Sequence, residues 1–122
     1  GTTHADQFNG PVPLTRLLRE AEVIGDYELN TGKIIIERFA GADPLERPAV
    51  LVAGHGPFAW GRTPAEAVET ALVLEQVAKM AYGSMALDPR LAPLDGYILE
   101  KHFQRKHGPD AYYGQKKEKG HD

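Results

Sequence analysis

Helical and extended patterns that follow one another within a single domain's length predict a mixed α/β fold. Three observations carry that expectation. The chain has 122 residues, about one domain and one core. Its composition, 42% hydrophobic and 25% charged, is that of a chain able to bury such a core. Finally, a β-branched run and a continuous apolar run of strand type precede a long helical segment with its own start signal.

The elements follow in order. Gly1-Thr2-Thr3-His4-Ala5-Asp6 opens without an initiator Met as a polar, turn-like stretch, as a fragment would. In Gly10-Pro11-Val12-Pro13 the prolines hold their predecessors extended, so a loop or sheet edge is expected. Thr15 to Ile24 reads as a short capped helix, because Leu17, Leu18, Ala21 and Ile24 fall on one helical face. Gly25-Asp26 ends it, Asn30-Thr31-Gly32 marks a turn, and isoleucine-dense Lys33 to Phe39 reads as a strand.

After the polar loop Gly41 to Pro48, the run Ala49 to Ala53 reads as a strand covered on both faces. Pro57 bars the following segment from a central strand position, and Phe58-Ala59-Trp60-Gly61 forms an apolar patch ending at a turn. Thr63-Pro64-Ala65-Glu66 is a helix start, with Thr63 as N-cap and Glu66 completing a capping box. This helix is expected from Pro64 to Tyr82, stopping at Gly83-Ser84, with Val68, Ala71, Leu72, Val77, Ala78 and Met80 as its buried stripe. Prolines at 89 and 93 break the chain before a helix from Leu94 to Lys106, with Leu94, Ile98 and Leu99 facing inward. Residues 116–122, a Lys/Glu run and the terminus, are expected to fray.

Charge and composition exclude several function classes. Fourteen basic against seventeen acidic residues give a net charge of −3, without the positive field of general nucleic-acid binding. With no Cys there is no disulfide scaffold, thiolate nucleophile or Cys-ligated zinc. Any metal must sit on His and oxygen ligands. The longest apolar run is far short of the roughly 18 residues of a membrane span, so a cytoplasmic protein is expected.

His55 is the leading candidate for chemistry, since it follows the apolar strand and lies between Gly54 and Gly56, which permit close approach to the imidazole. A metal ligand, an acid-base group and a hydrogen-bonded structural residue all remain open for it. Asp6 suits a base, a ligand or a turn former, and Tyr113, in Tyr112-Tyr113-Gly114, an acid-base group or a packing contact. Glu28 reads as a solvated carboxylate in a turn after Asp26-Tyr27. His102 and His107 lie in a basic stretch that could bind phosphate or simply complement a helix end.

Taken together, Gly1 to Asp6, Glu28 before Thr31-Gly32, Val50-Leu51-Val52 leading into His55-Gly56-Pro57-Phe58-Ala59-Trp60-Gly61, Lys101-His102 with Arg105-Lys106-His107-Gly108, and Ala111-Tyr112-Tyr113-Gly114-Gln115 resemble the L-ribulose-5-phosphate 4-epimerases of the class II aldolase and epimerase superfamily. The resemblance covers essentially the whole chain as one domain, 1–122, the C-terminal portion of a larger one. It implies an α/β/α sandwich around a mostly antiparallel sheet, a homotetramer, and active sites shared between adjacent subunits. Each such site holds a divalent metal, usually zinc, on three histidines. His55 matches the third, and the other two fall in a His-x-His motif upstream of Gly1.

The implied reaction interconverts L-ribulose 5-phosphate and D-xylulose 5-phosphate, in arabinose catabolism. The C3–C4 bond breaks to a metal-stabilised enediolate of dihydroxyacetone and glycolaldehyde phosphate, and re-forms on the opposite aldehyde face. Asp6 and Tyr113, from a neighbouring subunit, match the pair that exchanges protons with the C4 oxygen. His102 matches a residue that positions the mobile fragment, Glu28 an interfacial acid and Thr2 a pocket residue. Lacking two metal ligands, the chain alone is expected to be inactive. Two rivals stand beside this reading: a sugar-phosphate aldolase, such as fuculose-phosphate aldolase, and a non-catalytic assembly module.

Overall fold

The computed structural model describes residues 1–114; Gln115, His121 and the expected tail at 116–122 lie outside the described residues. The described residues form five helices and one hairpin: α1 (Thr2–Ala5), α2 (Glu20–Ile24), α3 (Tyr27–Arg38), β1 (Ala49–Val52), β2 (Gly56–Ala59), α4 (Pro64–Leu87) and α5 (Gly96–His107). The α/β expectation is met.

The hairpin is the centre of the packing. β1 and β2 pair antiparallel, with Ala49 opposite Ala59 and Val52 opposite Gly56. Alternation along the strands sends side chains to opposite faces. On one face Ala49 joins Phe8, Leu74 and Val77, and so meets α4. On the other, Val50 and Val52 pack on Ile34 of α3, flanked by Leu18, Phe39 and Trp60. The run Ala49 to Val52 thus packs on both faces as its continuous hydrophobicity predicts, except at Leu51, which stays exposed.

Pro57 sits within β2, where its missing N–H does no harm. Leu51, opposite it, spends its backbone groups on the other side, donating to the Pro13 carbonyl at 2.8 Å and accepting from the Thr15 N–H at 2.9 Å. That pair thus needs no bond across the hairpin, and β2 remains an edge strand.

Several expectations are corrected. The chain's opening is a short helix, α1, rather than a turn. Thr15 to Arg19 is not helical, because this stretch lies along β1: Leu14 bridges Leu51 in parallel and the Thr15 hydroxyl accepts the Ala53 N–H. Pairing with the sheet overrides the helical period, and only Glu20–Ile24 winds.

The strand expected at Lys33 to Phe39 is the second half of α3. Thr31 and Ile34 are buried while Ile36 is 74% exposed, a helical rather than alternating pattern. Packing of Ile34 on Val50 and Val52 outweighs the modest β preference of isoleucine. The Asn30-Thr31-Gly32 signal lies inside that helix, where the Thr31 hydroxyl donates to the Tyr27 carbonyl.

α4 has its expected N-cap, the Thr63 hydroxyl accepting the Glu66 N–H at 3.2 Å, but the Glu66 carboxylate accepts from the Arg62 N–H at 2.7 Å rather than closing a capping box on Thr63, and the helix continues through Gly83 and Ser84 to Leu87. One helical glycine costs about 1 kcal/mol against alanine, too little to end a long helix. Its buried side chains are Thr70, Leu74 and Val77, whereas Val68, Ala71, Leu72, Ala78 and Met80 of the expected stripe are exposed. The helix expected from Leu94 starts instead at Gly96; the side chain buried most deeply in α5 is Phe103, with Ile98 and Leu99 of the helix and Leu94 before it only partly covered. Among the described residues no helix is long and apolar enough to cross a membrane.

Candidate active site

The six residues singled out by sequence fall into two groups. Thr2, Asp6, His102 and Tyr113 gather where α1 meets α5. His55 lies at the bend of the hairpin, and Glu28 follows Tyr27, the α3 residue that stands against it.

At the first place, Asp6 caps the C-terminal end of α1, its N–H donating to the Thr2 carbonyl at 2.9 Å. α5 presents His102, Arg105 and His107 to it. The His102 Nδ1–H donates to Asp6 Oδ1 at 3.0 Å, and Arg105 Nη2 reaches both carboxylate oxygens at 3.1 Å. His107 Nε2 donates to the Asp6 carbonyl at 2.7 Å. With Nδ1 committed, a neutral His102 ring keeps the Nε2 lone pair for another partner.

The chain then folds back after α5. The N–H groups of Tyr112 and Tyr113 both donate to the Arg105 carbonyl, so the Tyr113 ring lies under the guanidinium, 4.1 Å from its carbon to the ring centre. One arginine therefore joins Asp6 to Tyr113. Burial alone pushes the Asp6 carboxyl up, but hydrogen bonds from Arg105 and His102, with the charge of Arg105, outweigh it and hold its pKa below the ordinary 3.8. Asp6 stays ionised at neutral pH. Arg105 is correspondingly shifted upward by its hydrogen bond to Asp6.

Sequence reasoning did not single out Arg105 or His4. Arg105 had a signal: it lies three residues after His102, on the same helical face. His4 donates through Nε2 to the Gly10 carbonyl at 2.7 Å and serves the loop.

At the second place, the chain turns through Ala53-Gly54-His55, closed by the His55 N–H donating to the Val52 carbonyl at 3.0 Å. Gly54 has φ +74° and Gly56 φ +147°, which explains why glycine flanks the histidine on both sides. The exposed His55 ring stands against Tyr27, centroids 6.3 Å apart, and Phe58, at 5.2 Å. Among the described residues neither of its ring nitrogens makes a hydrogen bond. Glu28, next to Tyr27, is exposed in the first turn of α3 rather than in a loop.

Residues 1–82 match the family described as Class II Aldolase and Adducin N-terminal domain. The chain belongs to that family. It is 57% identical over 116 residues to a protein named L-ribulose-5-phosphate 4-epimerase UlaF from Salmonella paratyphi C (strain RKS4594), a match covering 95% of this chain and 51% of that relative. The proteins of the same name from Salmonella choleraesuis (strain SC-B67), at 57%, and Salmonella paratyphi B (strain ATCC BAA-1250 / SPB7), at 56%, match over the same shares. The chain thus spans about half the length of the curated relatives it matches.

Class II aldolases typically use a divalent metal. Among the described residues no group of three or more His, Asp or Glu side chains could hold one. His102 and His107 are turned to Asp6 and His4 to Gly10, which leaves His55 as one open imidazole. The described residues do not by themselves fit a complete metal site.

Proposed function

We propose that this chain carries half of the machinery that interconverts L-ribulose 5-phosphate and D-xylulose 5-phosphate, in pentose and arabinose catabolism. The observation that carries the reading is the Arg105 bridge, which joins Asp6 and Tyr113 in one chain. The identity with proteins named as epimerases supports it.

In this reading the 122 residues are the C-terminal portion of one class II aldolase domain, an α/β/α sandwich with a mostly antiparallel sheet. The helices on both faces of the hairpin support that architecture. The assembly is a cytoplasmic homotetramer whose sites lie between subunits. Its support is the division of the site residues: one copy offers Asp6, His102 and Tyr113, and its neighbour offers His55 and Glu28. The metal, taken as zinc, is completed around His55 by two histidines outside these residues.

The chain's own groups handle the protons. The C4 hydroxyl of the ketopentose phosphate loses its proton, the C3–C4 bond breaks with its electron pair left on C3, and glycolaldehyde phosphate departs as the aldehyde. After the aldehyde turns over, C3 attacks its other face and the new C4 oxygen takes a proton back. Two proton-handling groups are needed because the oxygen points in opposite directions in the two epimers. Asp6, ionised, is the acceptor on one side, and the Tyr113 phenol is the donor on the other. His102, held by Asp6, steadies the aldehyde, and Thr2 lines the pocket.

The test supplies L-ribulose 5-phosphate to this chain alone and to the chain co-expressed with the part of the Salmonella relative that it does not match. Negligible turnover alone and D-xylulose 5-phosphate from the pair are expected. Robust turnover by the isolated chain with stoichiometric zinc would overturn the half-site reading. Release of free aldehyde would make it an aldolase. Unchanged turnover with lost tetramers in Asp6→Asn and Tyr113→Phe would reduce these residues to assembly.

A further inference from the structure

The Asp6 carboxylate is held unevenly. Its Oδ1 accepts three N–H groups, from His102 Nδ1 at 3.0 Å, Arg105 Nε at 3.3 Å and Arg105 Nη2 at 3.1 Å, whereas Oδ2 accepts only from the shared Nη2, also at 3.1 Å. A carboxylate oxygen offers about two lone-pair sites, so Oδ1 is full and Oδ2 is not. The same guanidinium has a second task on its flat face, where the Tyr113 ring lies with its centre 4.1 Å from the guanidinium carbon. Tyr113 is half exposed, and its hydroxyl makes no hydrogen bond among the described residues. One side chain thus fixes both groups and leaves the reactive end of each open.

The return of the chain after α5 does not depend on that side chain. The Tyr112 and Tyr113 N–H groups donate to the Arg105 carbonyl at 2.9 and 3.1 Å, and Lys101, one turn earlier on α5, stands 5.4 Å from the centre of the Tyr112 ring. What the guanidinium adds is orientation. We infer that Arg105 is the positioning residue of the proton-handling pair: in its plane it grips Asp6 so that Oδ2 is free to meet substrate, and with its face it sets the plane of the Tyr113 ring. Lysine cannot replace it, because an ammonium has no plane that could fork onto a carboxylate and lie on a ring at once.

The inference rests on the functional reading for the substrate and for the roles of the two groups. Its test uses this chain co-expressed with the unmatched part of the Salmonella paratyphi C relative. Arg105→Lys keeps the charge and the carbonyl that holds the returning chain, so circular dichroism and metal content should match the wild type. Its kcat on L-ribulose 5-phosphate should fall by about 10²-fold, the cost of misplacing a reacting group by about 1 Å, with KM changed far less. In Arg105→Ala, guanidinium chloride far below denaturing concentration should restore part of the lost rate, and ammonium chloride should not. Groups held by one side chain act as a unit, so Tyr113→Phe should cost several-fold less on top of Arg105→Lys than alone. One readout needs no turnover. In protein labelled with fluorotyrosine, the Tyr113 fluorine signal, assigned by its loss in Tyr113→Phe, should shift in Arg105→Lys and stay in Arg16→Lys, which changes a surface arginine outside the site. Wild-type kcat in Arg105→Lys, equal rescue by ammonium, fully multiplying losses in the double variant, or a Tyr113 signal blind to Arg105 overturns the inference. A wild-type pair without epimerisation whose Tyr113 signal still answers to Arg105 defeats the functional reading instead, and leaves the arginine as the tie between the two groups.

Discussion

The junction of α1 with α5 and the bend of the hairpin hold the chain's candidate chemistry in opposite ways. At the junction Asp6 is met by two histidines and an arginine, and the carboxylate and His102 are each about 20% exposed. At the bend His55 lies in the open between two aromatic rings. The first is a network finished within one chain, and it therefore contributes to folding. The second is an exposed imidazole whose nitrogens have no hydrogen-bond partner among the described residues, and it contributes little. Stability and activity should accordingly part company between the two places.

The sharpest break in that comparison is His55→Ala against Asp6→Asn in the co-expressed protein. His55→Ala should abolish turnover and lower the metal content measured by atomic absorption, while moving the unfolding free energy by no more than about 0.5 kcal/mol, as surface substitutions do. Asp6→Asn and Tyr113→Phe should each lower turnover by about 10²- to 10⁴-fold, the range of general acid-base groups, with metal content unchanged. A metal loss in Tyr113→Phe would join the two places that the structure keeps apart.

The next effect is on stability alone. Asp6→Ala removes the acceptor of His102 and Arg105 and should cost about 1 to 3 kcal/mol in urea unfolding, the range for hydrogen bonds to a charged group. Its pH dependence has a fixed sign. Because the folded carboxyl titrates below its ordinary 3.8, the contribution is complete above that value and is lost as pH falls through the lower folded pKa. The difference between wild type and Asp6→Asn should therefore close on acidification below pH 3.8 and not on going from 5 to 7. A gap that closes near neutrality would show that another group holds the junction.

These two places differ in how legible they were. The glycines around His55, the capping signal at Thr63 and the apolar run at Ala49 are local codes, and the structure uses each where it stands. The join of Asp6 to α5 spans 96 residues to His102 and has no local code at all. The gathering of Asp6, His102 and Tyr113 was reached only through the family resemblance, and the bridging Arg105 was not reached. The errors have one cause: Thr15 to Arg19 and Lys33 to Phe39 take their conformations from β1, the one by pairing with it and the other by packing on it. The α4 stripe misled for a related reason, since part of its apolar surface faces a groove left open in this chain.

Gly54 gives a smaller and more local test of the bend. At φ +74° a side chain is strained, and a Cβ would also stand 3.3 Å from Leu17 Cδ2, which is exposed enough to yield. Gly54→Ala should therefore cost about 1 to 2 kcal/mol from the backbone alone. It should also lower metal binding in the co-expressed protein, because the strain is relieved by moving His55. Unchanged metal binding with lowered stability would show that the bend's shape, and not its glycine, aims the ring.

The smallest effect separates the junction from an ion network with no proposed chemistry. Arg16 joins Glu22 at 2.8 Å and Glu37 at 3.1 Å on the outer surface. Hydrogen bonds from the Arg16 side chain and then the Arg19 N–H lower the Glu22 carboxyl to about 2. Depressed like Asp6, it stabilises the fold above its ordinary 4.5 and loses that contribution as pH falls towards about 2. What differs is screening: water and salt reach the Arg16 cluster, and raising salt from 0.15 to 1 M shortens the screening length from about 8 to about 3 Å. Glu22→Gln should thus lower the urea midpoint slightly at pH 7 and low salt, and the difference should vanish at 1 M NaCl. The Asp6→Asn difference should survive more of the same salt, since Asp6, His102 and Arg105 are each only about a fifth exposed while Glu37 of the Arg16 cluster is 59% exposed. Equal salt sensitivity at the two places would mean that the junction, too, is only a surface network, and its claim to act on a substrate would lose its physical basis.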